Sequence, residues 1–379
     1  MKQLKYLLKR EFRLFFTNKT LLSVFFMAPI VYALLIGFTY EKGKVEHIPI
    51  IVVNYDQTPI SYQVVEMLGD NSTIKVLNYV DEPANIKDEI IKTEAAALVI
   101  IPERFEAMLQ QKQYPEINVF INTSNVLTAN FASKAIQQTL GTLSAGVEIK
   151  ALQRKGMSSE MAKTQYEPFK ANYITIFNTT SNYLIFMWPA MMAVVLQQVI
   201  LLAMAVSFSE EFKRESFIKD FAGKEKYAIL VMAIKCLPVW IFANFNILFF
   251  YLCSIYFKIP APENVGNFFL LTAIFVVAST NLGVLVSILI PDSLKATQIL
   301  MVIASPAFII SGFTWPVSAM PDFIQHFNSI IPLTPYLEAL KIMVVQHGSD
   351  FLTRKYFLHL FILGWVYFIL GWIALKIKI

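Results

Sequence analysis

Hydrophobic positions along the chain follow two regimes. An unbroken apolar stretch, Leu21 to Tyr40, is followed by a mixed region over residues 41–180. Closely spaced apolar stretches then run to the C-terminus. A helix needs about 20 apolar residues to cross the hydrocarbon core of a bilayer. Four segments after the mixed region approach or exceed that length, over residues 183–207, 228–257, 268–290 and 357–375, and a shorter fifth candidate covers residues 299–310. The pattern therefore predicts a polytopic α-helical membrane protein with six transmembrane helices. The fifth is the weakest, because Pro306, Ser311 and Gly312 interrupt it and residues 311–350 form a long non-spanning segment, read as re-entrant from the outer side. Broken helices at that depth are tolerated only against protein or a water-lined cavity.

The mixed region changes period. Short apolar runs (Ile48 to Val53, Ile74 to Leu77, Ala97 to Ile101, Ile117 to Ile121) alternate with helical patterns over Ile60 to Leu68, Ile86 to Lys92 and Arg104 to Gln111. Such alternation predicts an inserted extracytoplasmic α/β domain over residues 41–180. From Leu127 to Arg154 the pattern becomes one longer helix, with Phe131, Ala135, Ile136, Leu140, Leu143 and Val147 on its buried stripe.

The first 20 residues place Leu4, Leu7, Leu8, Phe12 and Phe15 on one side of a helix, with Lys5, Lys9, Glu11 and Arg13 mostly on the rest. That is the pattern of an amphipathic helix lying along the cytoplasmic lipid surface. An ordinary positively charged flank of the first span predicts the same charges. Leu21 to Tyr40 is longer than a signal-peptide core and no small-residue cleavage site follows it, so it is read as a permanent span. With a cytoplasmic N-terminus, six spans put the loop over residues 208–226, with its five cations, and the tail bearing Lys376 and Lys378 on the inside, as the positive-inside rule asks.

Composition agrees with this class. Of 379 residues 56% are hydrophobic, only 16% are charged and 32 are Phe, more than a soluble core needs. The formal charge of +5 is concentrated at Lys2, Lys5, Lys9, Arg10, Arg13 and Lys19, which face only Glu11. This reads as a membrane anchor, with no nucleic-acid partner. Cys236 and Cys253 share one predicted helix at a separation of about 25 Å, beyond disulfide reach. The sequence has no G-x-x-x-x-G-K-[ST], no H-E-x-x-H and no G-x-S-x-G, and His47, His326, His347 and His359 are scattered. An enzyme is therefore not expected, nor a bound metal or cofactor. ATP hydrolysis with its Mg would belong to a separate subunit.

Three places are candidates for function. The loop starting Ser209-Glu210-Glu211-Phe212-Lys213-Arg214-Glu215 has mixed charge at helical spacing, which suits either a lever contacting another protein or a solvated connector. The outer segment Ser311-Gly312-Phe313-Thr314-Trp315-Pro316, continuing to Met320-Pro321, combines a turn-forming Gly, an interfacial Trp and helix-stopping prolines. Lys235 lies about 12 Å inside the third span, where an ionisable side chain is a functional hypothesis by default and snorkelling to the headgroups is the cheaper alternative. Gln197, Gln198, Asn244 and Asn246 are further intramembrane polar groups, suited to helix–helix hydrogen bonds or to lining a path.

The outer segment closely resembles the small-Gly-aromatic-x-aromatic-Pro…Met-Pro stretch of ABC type-2 transporter permeases. Ile176 to Asn182, leading into Trp188-Pro189, is similar to the Tyr/Phe-Asn-Pro stretch before the second span in the subfamily with a large outer insert. Ile331-Pro332-Leu333-Thr334-Pro335-Tyr336 is similar to the family's Pro-Leu-Thr/Ser-x-Tyr region. The cytoplasmic loop departs from the family's Glu-x-x-x-Gly-Thr: this chain has Arg214-Glu215-Ser216-Phe217, keeping the acidic start without the Gly-Thr. The resemblance implies an ABC type-2 exporter fold in a bacterial plasma (inner) membrane. It also implies a second permease copy or paralogue, a cytoplasmic ABC ATPase subunit coupled through Glu210 to Glu215, and, in some relatives, a periplasmic adaptor. Phe, Met, Asn and Gln in the spans suit an amphiphilic or hydrophobic cargo. The alternative is a membrane-anchored scaffold or signalling protein whose outer domain binds a cell-surface or secretion partner without transport.

Overall fold

The structure, a computed structural model, describes residues 2–78, 85–166, 174–213 and 228–378. These form two compact units, residues 1–43 with 175–379 and residues 44–174.

The inserted unit is built on four strands, β1 (Ile48–Asn54), β2 (Ile74–Asn78), β3 (Ala97–Ile101) and β4 (Asn118–Ile121), in the order β2-β1-β3-β4. Strand β1 pairs parallel with β2 and β3, while β4 runs antiparallel to β3. Because successive strand side chains alternate faces, Ile50 and Val52 pack on one side and Ile51 and Val53 on the other. The first face is covered by Val64 and Leu68 of α3 (Pro59–Gly69) and, past α4 (Ile86–Thr93) and α5 (Phe105–Gln110), by Ala132 and Ile136 of the long α6 (Val126–Arg154). Ile86 and Ile90 of α4 cover the second. A short α7 (Ser159–Tyr166) follows, where the sequence pattern gave no helix.

In the other unit, α1 (Lys2–Thr17) leads into α2 (Lys19–Thr39) through Asn18, whose side chain caps α2 at Leu21 N. The remaining long helices are α8 (Tyr183–Ser207), α10 (Ala228–Tyr256), α11 (Val265–Leu289), α12 (Ser293–Ile310) and α15 (Asp350–Lys378). The short α9 (Ser209–Lys213) follows α8. With α2 these are six helices long and apolar enough to cross a membrane. Two start earlier than the apolar runs suggest. The fifth span begins at Ser293 because Asp292 caps it, and the sixth at Asp350, ahead of its first apolar cluster.

Among the spans, α8 is central: 72% of its apolar window is buried against 22% for α12. It packs on α2, α10, α11 and α12. Close approach of α8 and α11 depends on Gly283, where a Cβ would sit 2.5 Å from Met204 Cβ. Side-chain-to-backbone bonds fasten other pairs: Trp188 Nε1 to Ala33 O at 3.1 Å, Asn246 Nδ2 to Phe25 O at 3.0 Å and Asn281 Nδ2 to Gly364 O at 3.0 Å. Such polar contacts contribute about 0.6 kcal/mol each on average in a membrane.

Between α12 and α15 the chain forms α13 (Asp322–Ser329), α14 (Leu333–Leu340) and a π turn over Lys341–Val345. Leu333 to Leu337 are all buried, so this irregular stretch lies against protein. The insert leaves and rejoins the bundle at one point, where Tyr183 N donates to Gly43 O at 2.7 Å.

Gly283→Ala is expected to push α8 and α11 apart at a cost of about 1–3 kcal/mol. A lowered melting temperature of the detergent-solubilised protein would register it, and an unchanged one would show that the contact relaxes freely.

Candidate functional site

Helix α9 is short, yet it touches most of the bundle. Its first turn docks on α11: Ser287 Oγ accepts from Phe208 N at 2.9 Å and from Ser209 N at 3.0 Å, and donates to Ala205 O. Its outer side meets the start of α12, where Ser293 Oγ donates to Glu210 Oε2 at 3.0 Å and Lys213 Nζ donates to Asp292 Oδ2 at 3.2 Å. The Asp292 carboxyl is held below the usual carboxylate range, chiefly by the Lys295 backbone N–H and then by Lys213. Lys378, at the end of α15, places its ammonium 4.9 Å from the Phe212 ring.

The inner side of α9 carries the main electrostatic feature. Glu211 Oε1 accepts from Lys235 Nζ at 2.6 Å and from Arg10 at 2.9 Å. Glu11 completes the group, with Oε2 3.3 Å from Lys235 Nζ and Oε1 2.7 Å from Arg10. Among the described residues, two cations and two anions from α1, α9 and α10 thus meet in one cluster, in which the Lys235 side chain is only 1% exposed. A buried ammonium without anions would cost several kcal/mol, whereas here each charge has an opposite partner. The Lys235 ammonium is thus neutralised by carboxylates inside the protein, partners that the snorkelling reading did not include.

Glu11 is a second correction. The amphipathic pattern grouped it with the exposed cations, but it lies on the buried stripe with Leu7 and Phe15, four residues away on either side. Phe15 and Phe12 also meet Phe242 of α10, at 4.8 and 5.9 Å between ring centroids. Sequence reasoning missed Arg10 and Glu11 as site residues. The available signal was one acid in a basic segment and one base in an apolar span. Beside the cluster is a cleft of 620 Å³, lined by its charged groups together with Leu14, Phe15, Leu21 and Met204. Of the predicted loop residues, Glu210, Glu211 and Lys213 meet here, while Arg214 and Glu215 lie outside the described residues.

The outer motif divides into a buried and an exposed half. Ser311 and Phe313 are buried, Ser311 Oγ bonding Phe308 O at 2.7 Å and accepting from Phe313 N at 3.3 Å. Gly312 has φ +88, and a Cβ there would sit 2.6 Å from Val317 Cγ2, so both backbone and space require glycine. Phe313 stacks on Phe186 of α8 at 4.8 Å. Trp315, Pro316 and Pro321 are exposed and Met320 is half-buried. Further along, Tyr336 stacks on Phe275 at 4.1 Å and its hydroxyl lies 3.0 Å from Thr272 Oγ1. Before α8, Asn178 and Asn182 exchange hydrogen bonds at 2.8 and 3.0 Å, and Asn182 caps the helix.

The intramembrane amides are not brought together as a set by any hydrogen bond among the described residues. Asn246 joins α10 to α2, whereas Asn244 is exposed and bonds its own helix at Trp240 O. Gln197 is buried with its Oε1 unmatched among the described residues, and Gln198 is half-buried.

A family profile described as ABC-2 family transporter protein matches residues 19–376. ABC transporter G family member 20 of Dictyostelium discoideum is 23% identical over 374 residues, which are 96% of this chain and 49% of that protein. The chain thus spans about half the length of that relative. The probable multidrug ABC transporter permease YbhR of Escherichia coli (strain K12) is 20% identical over 307 residues, covering 81% of this chain and 80% of that protein.

Lys235→Met leaves two buried carboxylates with Arg10 as their remaining described cation and is expected to cost about 3–5 kcal/mol. Combining it with Glu211→Gln should restore part of the loss. Melting curves of the two variants measure this, and a single variant as stable as the parent would exclude a structural role for the cluster.

Proposed function

The chain belongs to the ABC-2 family of transporter proteins, and on that premise we propose that it is the membrane-spanning permease of an ATP-driven exporter. It is a multi-pass membrane protein, and the reading places both termini and α9 on the cytoplasmic side of a bacterial inner membrane. Residues 41–180 then lie outside. Two such chains, or this chain and a paralogue, pair with cytoplasmic ATPase subunits that bind ATP and Mg. The cargo is amphiphilic or hydrophobic, in keeping with the multidrug naming of one relative.

The observation that carries this reading is the dual bonding of Glu211 to Arg10 and Lys235. A push on α9 by an ATPase cannot be absorbed locally, because the same carboxylate holds the surface helix α1 and the third span. The stroke is thereby delivered to two elements that border the 620 Å³ cleft. Transport further requires that cargo be held more weakly in the outward-facing state, since equal affinity for both states shifts nothing. The inserted unit gates exit or docks an adaptor. Deleting it and losing adaptor crosslinking while keeping transport would favour docking.

Pulldown of the tagged protein in mild detergent, with mass spectrometry and an ATPase assay, tests the framework. A stoichiometric Walker-type ATPase is expected. Surface or secretion proteins without one would favour the scaffold reading. Within an assembled complex, Glu210→Lys combined with Lys213→Glu preserves net charge and spares the buried cluster. Cargo-stimulated ATPase activity should fall at least about tenfold, equivalent to 1.4 kcal/mol. Full stimulation would remove α9 from the coupling path.

A further inference from the structure

Spans α10, α11 and α15 enclose a groove of 430 Å³ that has no part in the charged cluster. It exists because small residues line it: Ala233 and Ala273 are exposed in its wall, and Gly364 brings α15 against α11, where a Cβ would lie 3.6 Å from Ala278. Trp240, Phe361, Trp365 and Phe368 supply aromatic walls. Phe361 and Trp365 are about half exposed on a spanning helix, so the mouth of the groove faces hydrocarbon. Its size falls in the range of small-ligand pockets, about 300–1,000 Å³.

Two polar groups in this apolar surround are incompletely matched. Asn281 is 95% buried; its Nδ2 donates to Gly364 O, and no described residue donates to its Oδ1. The Trp240 indole N–H also has no acceptor among the described residues, but that atom is itself buried in the wall and does not open onto the groove. Asn281 lies eight residues from Leu289, about 12 Å along the helix, too deep for headgroup water to serve it. An unmatched acceptor in an apolar surround is answered by a hydroxyl, which can donate a hydrogen bond to it.

We infer that this groove binds a membrane-dissolved apolar molecule carrying one hydroxyl, taken up sideways from the hydrocarbon. The hydroxyl donates to Asn281 Oδ1, and the apolar body fills the space between Ala233, Ala273 and the aromatic rings. A plain acyl chain would fill the volume but leave the Asn281 acceptor as it is. The inference concerns binding alone. It requires neither ATP nor a partner subunit, so its failure and that of the exporter reading are separable.

Photolabelling of the full chain in lipid nanodiscs with a diazirine-bearing octanol tests it. Labelling of α10, α11 and α15 is expected to saturate, to be competed by octanol and to resist competition by octane. Ala273→Phe fills the groove without touching the Asn281–Gly364 bond and should reduce labelling at least about fivefold. Asn281→Leu should do the same through loss of the hydroxyl's acceptor, as expected for roughly one hydrogen bond. Equal competition by octane, or undiminished labelling of Asn281→Leu, would reduce the groove to a hydrocarbon-filled crevice and overturn the inference. Undiminished labelling of Ala273→Phe would place the site elsewhere, and labelling that appears only when copies of the chain are dissociated would assign the groove to a protein interface.

Discussion

An ammonium group removed from water fixes the end of the bundle where α1, α9 and α10 meet. Lys235 cannot be buried in an apolar span without anions, and the nearest ones come from α1 and α9. Arg10 then balances the second negative charge. None of the three elements can occupy its position without the others. The net stabilisation from such a cluster is small, because desolvation offsets much of the attraction, but the penalty for separating its members is large. The cluster therefore specifies an arrangement more than it strengthens one. A helix that also reaches α11, α12 and α15 through Ser287, Ser293 and Lys378 is bound to sense any change in their relative positions.

The stretch between α12 and α15 solves a different problem. Here the fifth span stops early and the chain continues as short helices with exposed backbone ends, a form that lipid does not tolerate. Burial of Leu333 to Leu337 against the spans supplies protein in place of lipid. Gly312 makes the reversal, Phe313 anchors it on Phe186, and Tyr336 locks the following helix to α11 by stacking and a hydroxyl contact. Aromatic stacking holds the one region and paired charges the other.

Six spans and an α/β insert were legible because long apolar runs and alternating short ones are local signals. Span edges were less so. The fifth span was expected from residue 299, yet Asp292 supplies the cap that starts α12 at Ser293. Arg354 and Lys355 similarly obscured the first turns of α15. The cluster could not be read from spacing, since Glu11 and Lys235 lie 224 residues apart. What the sequence did hold was two anomalies, a lone acid among bases and a lone base in a span, each explained only by the other. The outer motif was visible as a string, but its division into a buried turn and an exposed aromatic rim depends on packing by Phe186 and Val317.

The hydrogen bond between Tyr183 N and Gly43 O, finally, bears on how such a chain can evolve. The entropy of closing a loop grows only as the logarithm of its length, so doubling an insert costs about 0.6 kcal/mol once its ends are held together. With both ends pinned at one backbone contact, the bundle is nearly indifferent to what lies between them. Shortening, lengthening or exchanging residues 44–174 would leave the register of the first and second spans in place. The membrane half can thus be inherited as a fixed engine while the inserted half is free to diversify.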